Sequence, residues 1–176
     1  MNPFWSNIFR SSGYEETLAY FLGTVPVFSK LNKRELSFLE TIVYVRNYQA
    51  DEIIFAEGDI GSGMYAVRTG QVKIYTHDEH GNEIEQAVLE TGDFFGEVAL
   101  TASRPRIASA RTTETTVLVG LFRADMLDVV RKHPSIAAKI LLGLTRIISD
   151  RLHQSHLLLH EALRQQMTTD REHSHD

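Results

Sequence analysis

The sequence contains no cysteine. Disulfide frameworks, CxxC redox chemistry, thiolate zinc sites and cysteine-held iron–sulfur clusters are therefore excluded. No apolar run approaches the ~18 residues of a membrane span. The start, MNPFWSNIF, lacks the positive n-region and long apolar stretch of a secretory signal. A basic excess is also missing: 18 Lys and Arg stand against 23 Asp and Glu, for a formal charge of −5. That balance argues against a non-specific nucleic-acid binder. Neither a GxSxG elbow nor a GxxxxGK[ST] loop occurs, and Glu57 and Asp59 read as turn chemistry, not as an acid/base pair. No catalytic constellation is found. The absences together describe a cytoplasmic, soluble protein that is not an enzyme.

What is present fits a single globular domain. The chain has 176 residues, 43% of them hydrophobic and 23% charged, and a domain of this size buries about 70% of its unfolded surface. Gly58, Gly61, Gly63, Gly70, Gly81, Gly92 and Gly96 fall within 39 residues, whereas the last 33 residues contain none. Short apolar pieces between close glycines predict tight antiparallel β structure. The pieces are VYVRNY, EIIFAE, MYAVRT, QVKIYTH, EIEQAVLE, IASARTT and TVLVGLF. Strands of this length and spacing predict a sandwich, jelly roll or small barrel, with HDEHGNE as a hairpin loop.

Helices are expected on both sides. Leu18, Phe21, Leu22 and Val25 lie at helical spacing, and Asn32 with Glu35 forms an N-x-x-E capping box. Arg123 to His133 predicts a short helix, and Pro134 suits the first turn of the next one. That last helix is expected over 134–168, roughly 50 Å long at 1.5 Å per residue, with a disordered tail at 169–176. Its stripe of Leu141, Leu144, Ile148, Leu152, Ser155, Leu159 and Leu163 keeps one face aligned through an eleven-residue repeat. The stripe outruns what its own core can cover, so a homodimer through a parallel two-helix seam is expected.

The window Gly92 to Ala110, GDFFGEVALTASRPRIASA, has the parts of an anion cradle. Gly96 allows close backbone approach, a helical turn at VALT would point N–H groups at an anion, and Arg106 offers a planar fork for phosphate. Glu97 beside an anion makes sense if the ligand also presents hydroxyl donors, as a ribose does. A structural Glu97–Arg106 ion pair is the plainer alternative.

This window resembles the phosphate-binding cassette of the cyclic nucleotide-binding domain, F-G-E-x-A-L-x4-P-R-x-A. It matches without a gap at Phe95, Gly96, Glu97, Ala99, Leu100, Pro105, Arg106 and Ala108. VPVFSKLNKREL, EGDIGSGMYAVRTGQVKIY and the HDEHGNE hairpin resemble the family's flanking marks in order, so the likeness covers about residues 25–160. The implied fold is mainly β with flanking helices: a double-stranded β-helix (a jelly-roll-like β-roll) at 25–133, an N-terminal helical extension at 1–24 and the long C-terminal helix.

The resemblance also implies roles. Arg106 would pair with the exocyclic phosphate, Glu97 with the ribose 2′-OH assisted by Gly96, and the backbone from Val98 to Ala99 and at Ala108 would complete the cradle. Arg151, Gln154 and Ser155 on the last helix would meet the base. Ile107 departs from the family, which commonly has Ser, Thr or Ala there. It removes a hydroxyl, can crowd the pocket with its branched bulk, and tilts the expected ligand toward cAMP over cGMP. One lost bond to a charged group costs roughly 1.5–3 kcal/mol.

The likeness extends to the ligand-binding half of the catabolite-activator transcription factors. Too few residues follow the last helix for a helix-turn-helix. No DNA binding by this chain is expected, and output would pass to an effector protein or through a change in dimer geometry. A ligand-independent dimeric module with a degenerate pocket is the alternative. A metal-dependent β-roll enzyme is a third reading. His153, His156 and His160 share a helix face that could hold zinc or nickel, but no carboxylate is fixed beside them, and His77 and His80 lack the cupin pattern. No metal and no resident cofactor are therefore expected.

Overall fold

Local capping sets the first helices. The structure, a computed structural model, describes residues 17–173; the expected extension before residue 17 and the end of the tail at 174–176 lie outside them. The Tyr20 N–H donates to Thr17 Oγ1 at the start of α1 (Leu18–Thr24). A 3-10 turn at Pro26–Phe28 leads to α2 (Lys33–Glu40). There Asn32 Oδ1 accepts from the N–H groups of Arg34 and Glu35, and Glu35 Oε2 accepts the Asn32 N–H at 2.8 Å. The capping box is closed at both ends.

Eight strands follow: β1 (Tyr44–Tyr48), β2 (Ile53–Phe55), β3 (Gly63–Thr69), β4 (Val72–His77), β5 (Glu83–Leu89), β6 (Phe94–Phe95), β7 (Ser109–Thr112) and β8 (Thr116–Phe122). They form two four-stranded antiparallel sheets, ordered β1-β8-β3-β6 and β2-β7-β4-β5. This is the β-roll with flanking helices that the sequence implies. β6 carries no separate strand signal because two residues are too few to show alternation.

Two apolar clusters hold the roll. Tyr48, Val67, Val72, Phe95, Ala110 and Leu118 fill the space between the sheets. A larger cluster, including Leu22, Phe28, Leu39, Met64, Leu121 and Ile140, joins the helices to the roll. Each Val, Leu, Ile, Phe or Met among them contributes about 1.5–3 kcal/mol on full burial.

α3 (Arg123–Lys132) runs into α4 (Pro134–His173) with Pro134 at its first position. α4 extends past the end expected at residue 168, because the sequence there holds no proline or glycine to break it. Its first half docks: Ala137, Ile140 and Leu144 are buried, and Lys139 Nζ bonds both oxygens of Glu35 on α2 at 2.7 and 2.8 Å. Gly143 lies so close to the 3-10 turn that a Cβ there would collide with the Val27 carbonyl oxygen. Further along, the expected stripe leaves the core. Leu141 packs against the apolar cluster, while Ile148, Leu152 and Leu159 are exposed; the Leu163 side chain lies outside the described residues.

Candidate functional site

A cavity of about 560 Å³ opens between the cassette, the β4–β5 sheet and α4. That volume lies within the range of small-ligand pockets. The cassette is pinned on one side by backbone bonds to the Gly58–Gly61 turn. Arg106 N–H donates to Asp59 O at 2.8 Å, Gly58 N–H to Arg106 O at 2.8 Å, and Gly61 N–H to Arg104 O at 3.0 Å. Asp59 serves that turn by accepting the Ala56 N–H at 2.8 Å.

Arg106 is set by its surroundings before any ligand arrives. Nη2 donates to Gly63 O at 2.8 Å and Nη1 to Gly96 O at 3.2 Å, while the guanidinium lies 4.1 Å over the Phe55 ring. Its Nε is buried with no hydrogen-bond partner. Burial pushes the Arg106 pKa down, against the opposing fields of Tyr65, Glu97 and Asp59. An arginine remains a cation under these conditions. Gly96 has φ 73°, and a Cβ there would stand 2.6 Å from Arg106 Nη1. Only glycine both accepts that backbone and leaves room for the guanidinium.

From Gly96 the chain enters a 3-10 turn at Glu97–Leu100, the short helical piece expected at VALT. Ala99 N–H donates to Gly96 O at 3.1 Å, so this cradle donor already has a partner within the turn. Glu97 is only 5% exposed. Its Oε1 accepts from Arg151 Nη1 of α4 at 2.5 Å, and the Arg151 guanidinium lies 5.1 Å from the Phe94 ring centroid. The Glu97–Arg106 ion pair is not formed; the carboxylate is held by α4 instead.

Gly96, Glu97, Val98, Ala99, Arg106, Ile107, Ala108 and Arg151 all line this cavity. Gln154 and Ser155 do not. Both are exposed, and Ser155 Oγ donates back to Arg151 O at 2.9 Å. Ile107 is 89% exposed at the rim. It projects to solvent, so the crowding expected of its branched bulk is absent. The lining residues that the sequence reading missed include Phe55, Ile74, Thr76, Gln86, Leu89 and Phe94. Alternation along β4 is the signal for Ile74 and Thr76; the others follow from tertiary placement.

Among the described residues, no group of three or more His, Asp or Glu is placed to hold a metal ion. His153, His156 and His160 lie exposed on α4. Among the same residues, no helix is long and apolar enough to cross a membrane.

Residues 45–133 match the family described as cyclic nucleotide-binding domain. The chain belongs to that family. The cyclic AMP receptor protein of Thermus thermophilus is 34% identical over 121 residues, covering 69% of this chain and 56% of that protein. A cAMP-dependent protein kinase regulatory subunit of Blastocladiella emersonii is 31% identical over 91 residues, covering 52% of this chain and 23% of that one. The chain thus spans just over half of the first relative and less than a quarter of the second. Among solved structures, the Thermus thermophilus catabolite activator protein superposes with a TM-score of 0.69 at 32% identity, covering 76% of this chain and 61% of that one. As a cyclic nucleotide-binding regulatory domain, the chain carries its cavity where the roll meets α4, and the matched segment includes Glu97 and Arg106.

Proposed function

We propose that this domain is a cytoplasmic sensor of a cyclic nucleotide, cAMP in preference to cGMP. Arg106 binds the exocyclic phosphate and Glu97 accepts the ribose 2′-OH. The observation that carries this reading is the pairing, on one cavity wall, of a fixed guanidinium and a buried carboxylate. A simple anion site has no use for the carboxylate; a phosphate joined to a hydroxyl-bearing sugar uses both. Ile107 supplies no hydroxyl for a guanine, which favours adenine.

Signalling follows from the Glu97–Arg151 contact. Nucleotide entry places the 2′-OH where Arg151 now bonds, so the ligand and α4 share one carboxylate. A ligand with different affinity for the two arrangements shifts their populations. The output then passes through α4 to a protein partner or to a second copy. Exposed Ile148, Leu152 and Leu159 support a seam between two such helices.

Calorimetry with cAMP and cGMP on the native chain and Arg106→Ala tests the reading. Heat from the native protein that is lost in the variant supports it. No heat with either nucleotide removes it. Light scattering at micromolar concentration tests the seam, and a monomer contradicts it.

A further inference from the structure

Opposite the cassette, β4 and β5 present an apolar wall of Ile74, Ala87 and Leu89, interrupted by Thr76 and Gln86. Strict alternation along β5 would turn Ala87 and Leu89 toward the cavity and Gln86 away from it. The ladder does not alternate there. Ile74 pairs with Ala87 while the next residue, Tyr75, pairs with Glu85, so Gln86 is the extra residue of a β-bulge. Bulges re-aim side chains, often beside functional sites. Here the bulge brings Gln86 and Ala87, neighbours in sequence, onto the same cavity.

The amide is also oriented. Gln86 Nε2 donates to Thr76 Oγ1 across the hairpin at 3.0 Å. This leaves the second N–H and the carbonyl Oε1 as an adjacent donor and acceptor on a wall otherwise made of aliphatic carbon.

We propose that Gln86 is the base-reading residue of this pocket and that it selects adenine, with Thr76 as its positioning residue. The inference rests on the cyclic nucleotide reading above and deepens it. Adenine presents the N6 amino donor beside the N7 acceptor, and a carboxamide satisfies both at once. Guanine presents two acceptors, O6 and N7, on the same edge. The Gln86 N–H can serve one of them, while Oε1 faces a lone pair. Ile74, Ala87 and Leu89 offer aliphatic surface to the purine, and Gln86 and Ala87 stand exposed on the open strand until a base covers them. The bulged strand therefore adds its own selectivity to the missing hydroxyl at Ile107 in the cassette that holds the sugar and phosphate.

The test is calorimetric binding of cAMP, cGMP and 7-deaza-cAMP to the native chain, Gln86→Leu and Thr76→Val, with thermal unfolding of each variant to confirm the fold. A bidentate amide–adenine pair discriminates by roughly 5- to 150-fold. Gln86→Leu is expected to lose that much of the cAMP-over-cGMP preference through weaker cAMP binding. 7-Deaza-cAMP, which lacks the N7 acceptor, is expected to lose less between native chain and variant. Thr76→Val is expected to lower the preference by a smaller factor, since it frees the amide without removing it. Binding with an unchanged cAMP/cGMP ratio in Gln86→Leu overturns the role of Gln86 and leaves the sensor reading standing. A native chain that binds none of the three overturns both.

Discussion

The two sides of the cavity reach their geometry by different routes. On the cassette side, Gly96, Glu97 and Arg106 lie within one short segment, aimed by a left-handed glycine, a 3-10 turn and two carbonyls that fix the guanidinium, Gly96 O in the segment and Gly63 O on β3. On the facing side, Thr76, Gln86 and Arg151 come from three elements, and Arg151 meets Glu97 across 54 residues of sequence. The first side is held by its own turn and by bonds to the neighbouring Gly58–Gly63 stretch of the roll. The second depends on where β5 is bulged and where α4 is docked. A sensor benefits from that asymmetry, because a fixed grip on the ligand is set against a wall whose position can change.

The strongest challenge to this contrast is Arg106→Ala. It removes the charged grip and leaves the Gly63 carbonyl without its donor. At about 1.5–3 kcal/mol for each lost bond to a charged group, cyclic nucleotide affinity is expected to fall by roughly two decades or more, as read by calorimetry. The same substitution is expected to leave α4 docked, since none of its contacts run through Arg106.

Gly143→Ala attacks the other side. A methyl aimed at the Val27 carbonyl must push α4 away from the 3-10 turn. Overpacking of this kind costs about 1–3 kcal/mol, visible as a lower denaturation midpoint in urea. Loss of stability in Gly143→Ala together with intact phosphate-side binding would sharpen the division; equal damage to both would erase it.

Glu97→Gln touches the point where the sides meet. It keeps the shape and removes the charge shared with Arg151. Nucleotide affinity is expected to drop about tenfold, close to one charge-assisted bond. Faster hydrogen exchange along α4 is the second readout, because the helix loses its tie to the cassette.

The smallest effect concerns acid. Hydrogen bonding from Lys139, followed by the Asn32 N–H, holds the Glu35 pKa below the usual carboxylate range. A carboxylate whose folded pKa is depressed adds stability above its unfolded pKa and loses it as pH falls through the folded value. The α2–α4 tie is therefore complete at neutral pH and disappears only in acid below about pH 4. Glu35→Gln is expected to flatten that limb of the stability profile, measured as thermal midpoint against pH; an unchanged limb would remove Glu35 as its source.

Most of the architecture was legible along the chain. The strand pieces, the capping box at Asn32 and the α3–α4 junction at Pro134 each rest on neighbours in sequence, and each formed. The same holds for Gly96 and Glu97 in their turn, and the cassette motif named Arg106, although Gly63, Phe55 and the Gly58–Gly61 turn are what hold it there. Gln86 was hidden, since a bulge depends on the register between two strands and β5 alone reads as a regular alternation. Gln154 and Ser155 share the Arg151 face of α4 but lie about one turn beyond it and miss the cavity, because only the docking of α4 decides how far along the helix the cavity reaches. Ile107 read as a bulky intruder, yet it stands largely exposed at the rim of the cavity.

The sequence by itself determined the class and the chemical grip. The absence of cysteine ruled out cysteine-based redox and thiolate chemistry, glycine spacing pointed to the roll, and the cassette supplied cation and carboxylate in one short stretch of chain. Tertiary structure decided which residues face that frame, that Glu97 is held by Arg151 in place of Arg106, and that a glutamine stands on the far wall. The physical reason is range. Hydrogen bonds within a turn are fixed by a few dihedral angles, whereas a contact between β5, α4 and the cassette exists only once burial has chosen how those elements pack.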